Sequence, residues 1–277
     1  MARAPRLRAS LELAASFAGD ADGEIFTRGR SLAASFIARG EAVTERAEGI
    51  AGPLGALGPD ARDVLYLGAA LARDPRALAR AHRLANRLGR DAGPRAQAMF
   101  LTAILLAAGE REAVAAYGLA EQLGRGSSPE VRAAIMAAAA LVGDEAAVVR
   151  AFDLAGKLDG RWSPESRAVY LIAAALANDE AAVRAAYHLA PQLEGGWINE
   201  DARALYTVAA VFAKGEQAMR DAAFAGAALD RRFSRRPRSD SRALYTLDAL
   251  LQAPQRRSSR ASRRRATVAA LAAFALR

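Results

Sequence analysis

Residues 128–160 read SPEVRAAIMAAAALVGDEAAVVRAFDLAGKLDG, and this segment carries the clearest signals of the chain's architecture. Ser128 and Pro129 form a helix-start signal, because a serine side chain caps free N–H groups and proline suits the first helical turn. Gly143 and Asp144 then interrupt the apolar run, so a second helix is expected to begin after them. The stretch therefore predicts a hairpin of two helices, called helix A and helix B below.

The same pattern recurs along the chain at intervals of 35, 35, 35 and 36 residues. The copies begin at Pro59, Pro94, Pro129, Pro164 and Glu200. An apolar stripe follows in each helix B, opening at Leu78, Val114, Val148, Val183 and Met219 and closing at Leu88, Leu123, Leu158, Leu193 and Leu229. Because the helix breaks and the stripe recur together, we predict internal repeats of one helical hairpin.

Helix B resembles the second helix of tetratricopeptide repeats. The resemblance is carried by the turn Gly143-Asp144 and by Val148, Phe152 and Ala155, which match the family's polar turn, apolar stripe, aromatic and small residue. With weaker copies at both ends it covers roughly residues 24–253, and the period also suits pentatricopeptide repeats. The resemblance implies an all-α protein, a right-handed α-solenoid of about six to seven repeats.

The chain is expected to have three parts. Residues 1–23 are predicted to form an N-terminal capping helix, and residues 24–253 the solenoid. Residues 254–277 contain an arginine-rich linker followed by the apolar stretch Ala266–Leu276. We expect this stretch to cap the last repeat, because terminal repeats need a cover. Two alternatives are that it enters the groove of the solenoid or anchors at an anionic membrane surface beside the arginines.

The composition favours helices and offers little chemistry. Of the 277 residues, 52% are hydrophobic, 6% are aromatic and none is cysteine, so disulfides and thiolate sites are excluded. His82 and His188 occupy or adjoin the aromatic position of the stripe, which favours packing roles. Phosphate-cradling loops, zinc-protease motifs and nucleophile elbows do not occur. We therefore expect no enzyme, no cofactor and no metal site, and, without an apolar run of transmembrane length, a cytoplasmic protein.

The inner surface of the solenoid is predicted to be apolar. In the related families helix A lines the concave face, and here helix A is apolar nearly all round. The expected groove would bind an amphipathic helix or apolar peptide from another protein or from a second copy of the chain, unless small alanines close it. The residues expected to line it are Leu67, Thr102, Leu105, Ala137, Leu141, Ile172, Leu176, Val208 and Phe212.

The net charge of +9 is concentrated at the C-terminus, where residues 231–277 hold 13 arginines and two aspartates. This supports an alternative function, sequence-independent binding of nucleic acid or an anionic surface. The candidate anion-binding residues are Arg256, Arg257, Arg260, Arg263, Arg264 and Arg265.

A recurring arginine near the start of helix A, at Arg132, Arg167 and Arg203, raises a separate question. We expect these arginines to pair with acids of neighbouring repeats, such as Asp63, Glu130, Glu165 or Asp201, rather than to bind an anion.

Overall fold

The computed structural model describes scattered positions between residues 61 and 72, and then residues 75–160, 163–196, 198–213, 215–234, 238–252 and 260–276. The predicted N-terminal capping helix and the first weak repeat copy lie outside these residues. Within them every regular element is an α-helix, which confirms the all-α prediction. The helices are α1 (Pro75–Leu88), α2 (Pro94–Leu106), α3 (Glu110–Leu123), α4 (Pro129–Val142), α5 (Glu145–Asp159), α6 (Pro164–Ala177), α7 (Glu180–Leu193), α8 (Glu200–Phe212), α9 (Glu216–Phe233), α10 (Ser239–Gln252) and α11 (Arg260–Ala275).

The helix-start signals act as predicted. The side chains of Ser128 and Ser163 accept hydrogen bonds from the main-chain N–H groups three residues later, at 3.3 Å and 2.9 Å. Asn199 accepts the equivalent bond from Ala202 N at 2.8 Å. Each bond satisfies one of the N–H groups that a helix leaves without an internal partner. The starts of α4, α6 and α8 are therefore fixed by local sequence.

The predicted breaks also lie where the hairpins turn. Gly143 and Asn178 end α4 and α6 in the left-handed backbone conformation, with φ of 73° and 53°. Asp144 and Asp179 then cap α5 and α7 by accepting main-chain N–H groups. A residue that tolerates positive φ followed by a capping acid reverses the chain within two residues.

The helices pack in two layers. Helices α2, α4, α6, α8 and α10 are the A helices; each contacts the next, and together they form what is called the A layer below. Each B helix packs mainly against the A helix that follows it: α1 on α2, α3 on α4, α5 on α6, α7 on α8, and α9 on α10. A hairpin therefore buries its apolar face only when its neighbour is present, as in an α-solenoid.

The apolar stripe of the B helices differs from its prediction at one position. Leu78, Val148 and Val183 are fully buried, but Val114 is 46% exposed. Ala113 is buried in its place. The assignment of Val114 was wrong because a strict 35-residue spacing from Leu78 leads to position 113.

One position of the B-helix stripe is occupied by a small residue in each repeat, and the size of that residue determines how closely the packed helices approach. Ala85, Ala120, Ala155 and Ala190 are completely buried there. Gly226 of α9 follows Ala190 by one repeat and lies directly against Thr246 of α10.

Candidate functional site

The C-terminal helix α11 lies against the A layer. It packs most extensively against α6 and α4, and less against α8 and α10. This position differs from the expected cap on the last hairpin, because α11 runs past several repeats. The stretch Ala266–Leu276 is apolar nearly all round and needs cover on every side, and the A layer offers a longer apolar wall than one hairpin end.

All eleven residues from Ala266 to Leu276 are buried. Of the larger side chains in this stretch, Val268, Leu271 and Phe274 are each at most 1% exposed, and Leu276 is 6% exposed. Full burial of such a side chain stabilises a protein by about 1.5–3 kcal/mol. The contacts of α11 are therefore a major contribution to the stability of the described structure.

Two arginines fix the ends of α11 through main-chain carbonyl groups. Arg95, in the first turn of α2, donates from Nη2 to the carbonyl oxygens of Phe274 and, at 2.9 Å, of Leu276. Arg264 of α11 donates to the carbonyl oxygen of Ala140, in the last turn of α4, at 2.8 Å. The last carbonyls of a helix lack internal partners and carry partial negative charge, so a cation there is stabilising. The sequence did not predict this role of Arg95, because no local pattern connects Arg95 with Phe274, which lies 179 positions later in the chain.

The nine predicted groove residues are covered rather than lining an open trough. Leu67, Ala137, Ile172, Leu176 and Val208 are buried in the apolar core. Thr102 is also buried, and its hydroxyl donates to the carbonyl oxygens of Val64 and Ala98. The remaining three, Leu105, Leu141 and Phe212, are half-buried and pack against the same core.

The predicted anion-binding arginines are only partly described. Arg256 and Arg257 lie outside the described residues, as do the side chains of Arg260 and Arg263. Arg265 is exposed, whereas Arg264 is partly buried by its bond to α4.

The recurring arginines of the A helices form ion pairs with acids near the ends of preceding B helices. Arg132 lies 3.0 Å from Glu121, and Arg167 lies 3.4 Å from the buried Asp159. In α10, Arg242 lies 3.7 Å from Asp230 of the preceding α9, and it also forms a bidentate pair with Glu194, which directly follows α7. Pairing was expected, but the described partners Glu121, Asp159 and Glu194 are not among the acids named for it.

The reason is the packing of the layers. The end of a B helix lies beside the beginning of the next A helix, which brings Glu121 to Arg132 and Asp159 to Arg167. Arg203 instead stacks on Tyr187 of α7 at 5.0 Å and donates to its hydroxyl at 2.8 Å. Among the described residues, the acid that pairs with Arg203 is Glu200, whose carboxylate lies 3.9 Å from the guanidinium group.

Acidic side chains link the first turns of successive A helices. The Ser166 hydroxyl of α6 donates to Asp201 of α8 at 3.0 Å, and the Asn199 amide donates to Asp240 of α10. Burial raises the pKa of the Asp201 carboxyl, and the nearby carboxylates of Asp240 and Glu165 raise it further. The Ser166 hydrogen bond opposes this shift without cancelling it.

We expect Asp201→Asn to raise the free energy of unfolding at pH 7 by about a few tenths of a kcal/mol, because the half-buried charge is screened by water. A carboxyl with a raised folded-state pKa favours folding more as the pH falls through that pKa, and this contribution is constant below the unfolded-state pKa. The variant should therefore gain less stability than the wild type on acidification from pH 7. Urea unfolding across that range measures the difference, with the exposed Asp153→Asn as control; equal pH profiles for Asp201→Asn and wild type would contradict it.

Other polar features of the described residues give no reactive arrangement. They contain no group of three or more His, Asp or Glu side chains placed to hold a metal ion. His82 is half-buried beside Asn86, and burial lowers its pKa. His188 is exposed, and its ring forms a T-shaped contact with the Tyr187 ring. An open cleft of about 580 Å³ beside α3 is lined by Glu121, Arg132 and their neighbours, and these two are already paired.

In the part of the chain that is described, no helix has the length and apolarity needed to cross a membrane. The contacts of α11 are the most direct indication of what the A layer can hold. Comparison of the chain with protein-family models, with curated proteins and with solved structures gives no match.

Proposed function

We propose that this protein is a non-enzymatic, tetratricopeptide-like adaptor whose A layer binds an apolar helix, and that α11 is the occupant in the resting state. The observation that carries the proposal is the burial of Ala266–Leu276 against α4 and α6. A segment of the same chain thus has the chemistry that the sequence predicts for a partner.

The contacts of α11 define the kind of helix that fits. Its side chains supply apolar surface, with alanine at six of the eleven buried positions, so close approach to the A layer is possible. Arg95 binds carbonyl oxygens of the main chain, which every helix end provides. A partner should therefore be a short helix rich in alanine and leucine, recognised more by size and apolarity than by specific side chains.

The linker gives α11 an advantage over any such partner. Seven residues, 253–259, separate α10 from α11. A short tether gives an effective concentration in the millimolar range. A free helix of equal intrinsic affinity at micromolar concentration would then occupy about one molecule in a thousand. The A layer would therefore remain occupied by α11 until a partner that binds more tightly is present, or until the linker is held so that α11 cannot reach the A layer.

The proposal is tested by cutting the linker without removing α11. A specific protease site is inserted between Gln255 and Ser258 of the full chain, and the folded protein is cleaved. A fluorescent peptide of residues 260–277 is then added in excess. We expect the cleaved α11 to stay bound and the labelled peptide to replace it, as followed by fluorescence anisotropy.

The control peptide carries Leu271→Asp and Phe274→Asp, and it should not exchange, because charges at buried positions are costly. Failure of the unmodified peptide to exchange over days would contradict the proposal, since α11 would then be a permanent part of the core. Loss of the folded state after cleavage would contradict it for the same reason.

A further inference from the structure

The exposed face of α1 carries a row of arginines, called the α1 stripe below and defined as Arg76, Arg80, Arg83 and Arg87. At 3.6 residues per turn these positions lie within about 60° of the helix circumference and extend over about 16 Å. All four side chains are exposed, and Arg90 continues the row in the turn after the helix. The stripe is a concentrated positive surface in a part of the chain whose average charge is close to neutral.

The charges of the stripe are almost uncompensated. Helix α1 contains no Asp or Glu. Arg87 pairs with Glu110 of α3 at 2.7 Å, in a contact that is largely exposed. Among the described residues, Arg76, Arg80 and Arg83 have neither an ion pair nor a hydrogen-bond partner. Mutual repulsion between these side chains slightly destabilises an isolated helix, so their placement calls for a reason outside the fold.

The equivalent helices of other repeats show that the fold does not need this charge. Helix α3 contains three Glu and one Arg. Helices α7 and α9 each begin with a Glu that pairs with an Arg four residues later, as in Glu180–Arg184 and Glu216–Arg220. These B helices pack on the next A helix in the same way as α1 does. Among the described B helices, the stripe is therefore particular to α1.

The surroundings of the stripe indicate what it can bind. Leu78, Ala81, Leu84 and Ala85 of α1 are buried in the solenoid, so the helix has no free apolar face to insert into a membrane. Ala79 and Asn86 are the exposed residues between the arginines, and the ring of His82 is half-buried and bonded to Asn86. The face therefore presents no free aromatic ring on which unpaired bases would stack. A nucleic-acid duplex is a polyanion whose bases are already stacked on one another, and it therefore fits this surface best.

We propose that the α1 stripe binds the phosphate backbone of a nucleic-acid duplex, independently of base sequence. Arginine suits this role because its planar guanidinium can donate two parallel hydrogen bonds to one phosphate. This inference does not depend on the function proposed for the A layer, because α1 packs on α2 with the stripe turned to solvent.

The test measures binding of the full-length chain to a fluorescein-labelled DNA duplex of random sequence, about two helical turns long, over a series of salt concentrations. The variant is Arg80→Gln with Arg83→Gln. The control is Arg125→Gln with Arg150→Gln, which removes the same charge from two exposed arginines without described ion pairs. A third variant, Arg256→Gln with Arg257→Gln, removes charge from the linker.

We expect the stripe variant to bind about tenfold more weakly at low salt and to lower the slope of log affinity against log salt by about 2, since each phosphate contact contributes about 0.9. The control should change affinity less than about twofold. An RNA duplex should give the same pattern, which would support readout of the backbone.

Equal losses in the stripe and control variants would overturn the proposal, as would a loss confined to the linker variant or the absence of any binding at low salt. Phosphatidylserine vesicles that bind more tightly than the duplex, and lose binding in the stripe variant, would assign the stripe to a membrane surface instead. Efficient displacement of the duplex by poly-glutamate would assign it to an acidic protein.

Discussion

Phe274→Ala is expected to lower the free energy of unfolding by about 3–5 kcal/mol, the range for removing a phenylalanine from a packed core. Phe274 of α11 is 1% exposed, and its carbonyl oxygen accepts a hydrogen bond from Arg95. Truncation removes the largest side chain of Ala266–Leu276 and leaves a cavity against the A layer. The loss should also free α11 more often, since its remaining residues are mostly alanine.

Urea unfolding followed by circular dichroism measures this effect. Phe224→Ala is the matched control, because Phe224 of α9 is 76% exposed and the same atoms are removed from water-exposed surface. The control should change the stability by less than about 0.5 kcal/mol. Similar losses in both variants would show that α11 does not hold Phe274 in a packed site.

Gly226→Ala is expected to destabilise the protein by about 1–3 kcal/mol or more, because it overpacks the contact between α9 and α10. A Cβ atom at this position would meet the Thr246 hydroxyl, and would lie 2.7 Å from the main-chain nitrogen of Thr246 and 3.0 Å from the carbonyl oxygen of Arg242. Two of these atoms belong to the backbone of α10, so relief requires the helices to move apart. That movement would weaken the pair between Arg242 and Glu194.

Gly118→Ala provides the control for this prediction. Gly118 is also inside a B helix, α3, but is exposed, and a Cβ atom there would meet nothing within 4 Å. Alanine favours a helix over glycine by about 0.5–1 kcal/mol, so this variant should be more stable than the wild type. Thermal unfolding of both variants should give melting temperatures that shift in opposite directions, and a shift in the same direction would contradict the close contact at Gly226.

The sequence predicted the local structure well because local interactions determine it. Ser128, Ser163 and Asn199 cap their helices through neighbours three residues away, and Gly143 ends α4 through its own backbone conformation. The repeat period located these signals. The assignment of Val114 departed from this period, which leads from Leu78 to the adjacent and buried Ala113.

Contacts between distant residues could not be predicted in the same way. The composition of Ala266–Leu276 requires burial but is compatible with a cap, a groove or a membrane surface. Only the packed structure shows which wall it covers. Likewise, the partners of Arg132 and Arg167 depend on which helix end lies beside them, and several acids were available at similar positions in the sequence.

The α1 stripe was visible in principle and was missed for a different reason. Arg76, Arg80, Arg83 and Arg87 follow a helical spacing that can be found in the sequence alone. Averaged over residues 1–230, the charge of these arginines is cancelled by acids elsewhere in that part of the chain. Charge has to be assessed for each helix and each face, because an approaching polyanion meets the local surface.

The position of α11 changes how the whole array should fold. Repeat arrays have contacts mainly between neighbours, and can therefore unzip from either end. Here the segment made last among the described helices reaches back to Arg95 of α2 and also touches α10. It joins early and late repeats into one cooperative unit, so terminal fraying is suppressed. The same arrangement leaves the A layer uncovered during translation until residues 260–276 have left the ribosome, which makes this the interval in which the nascent chain most needs protection from aggregation.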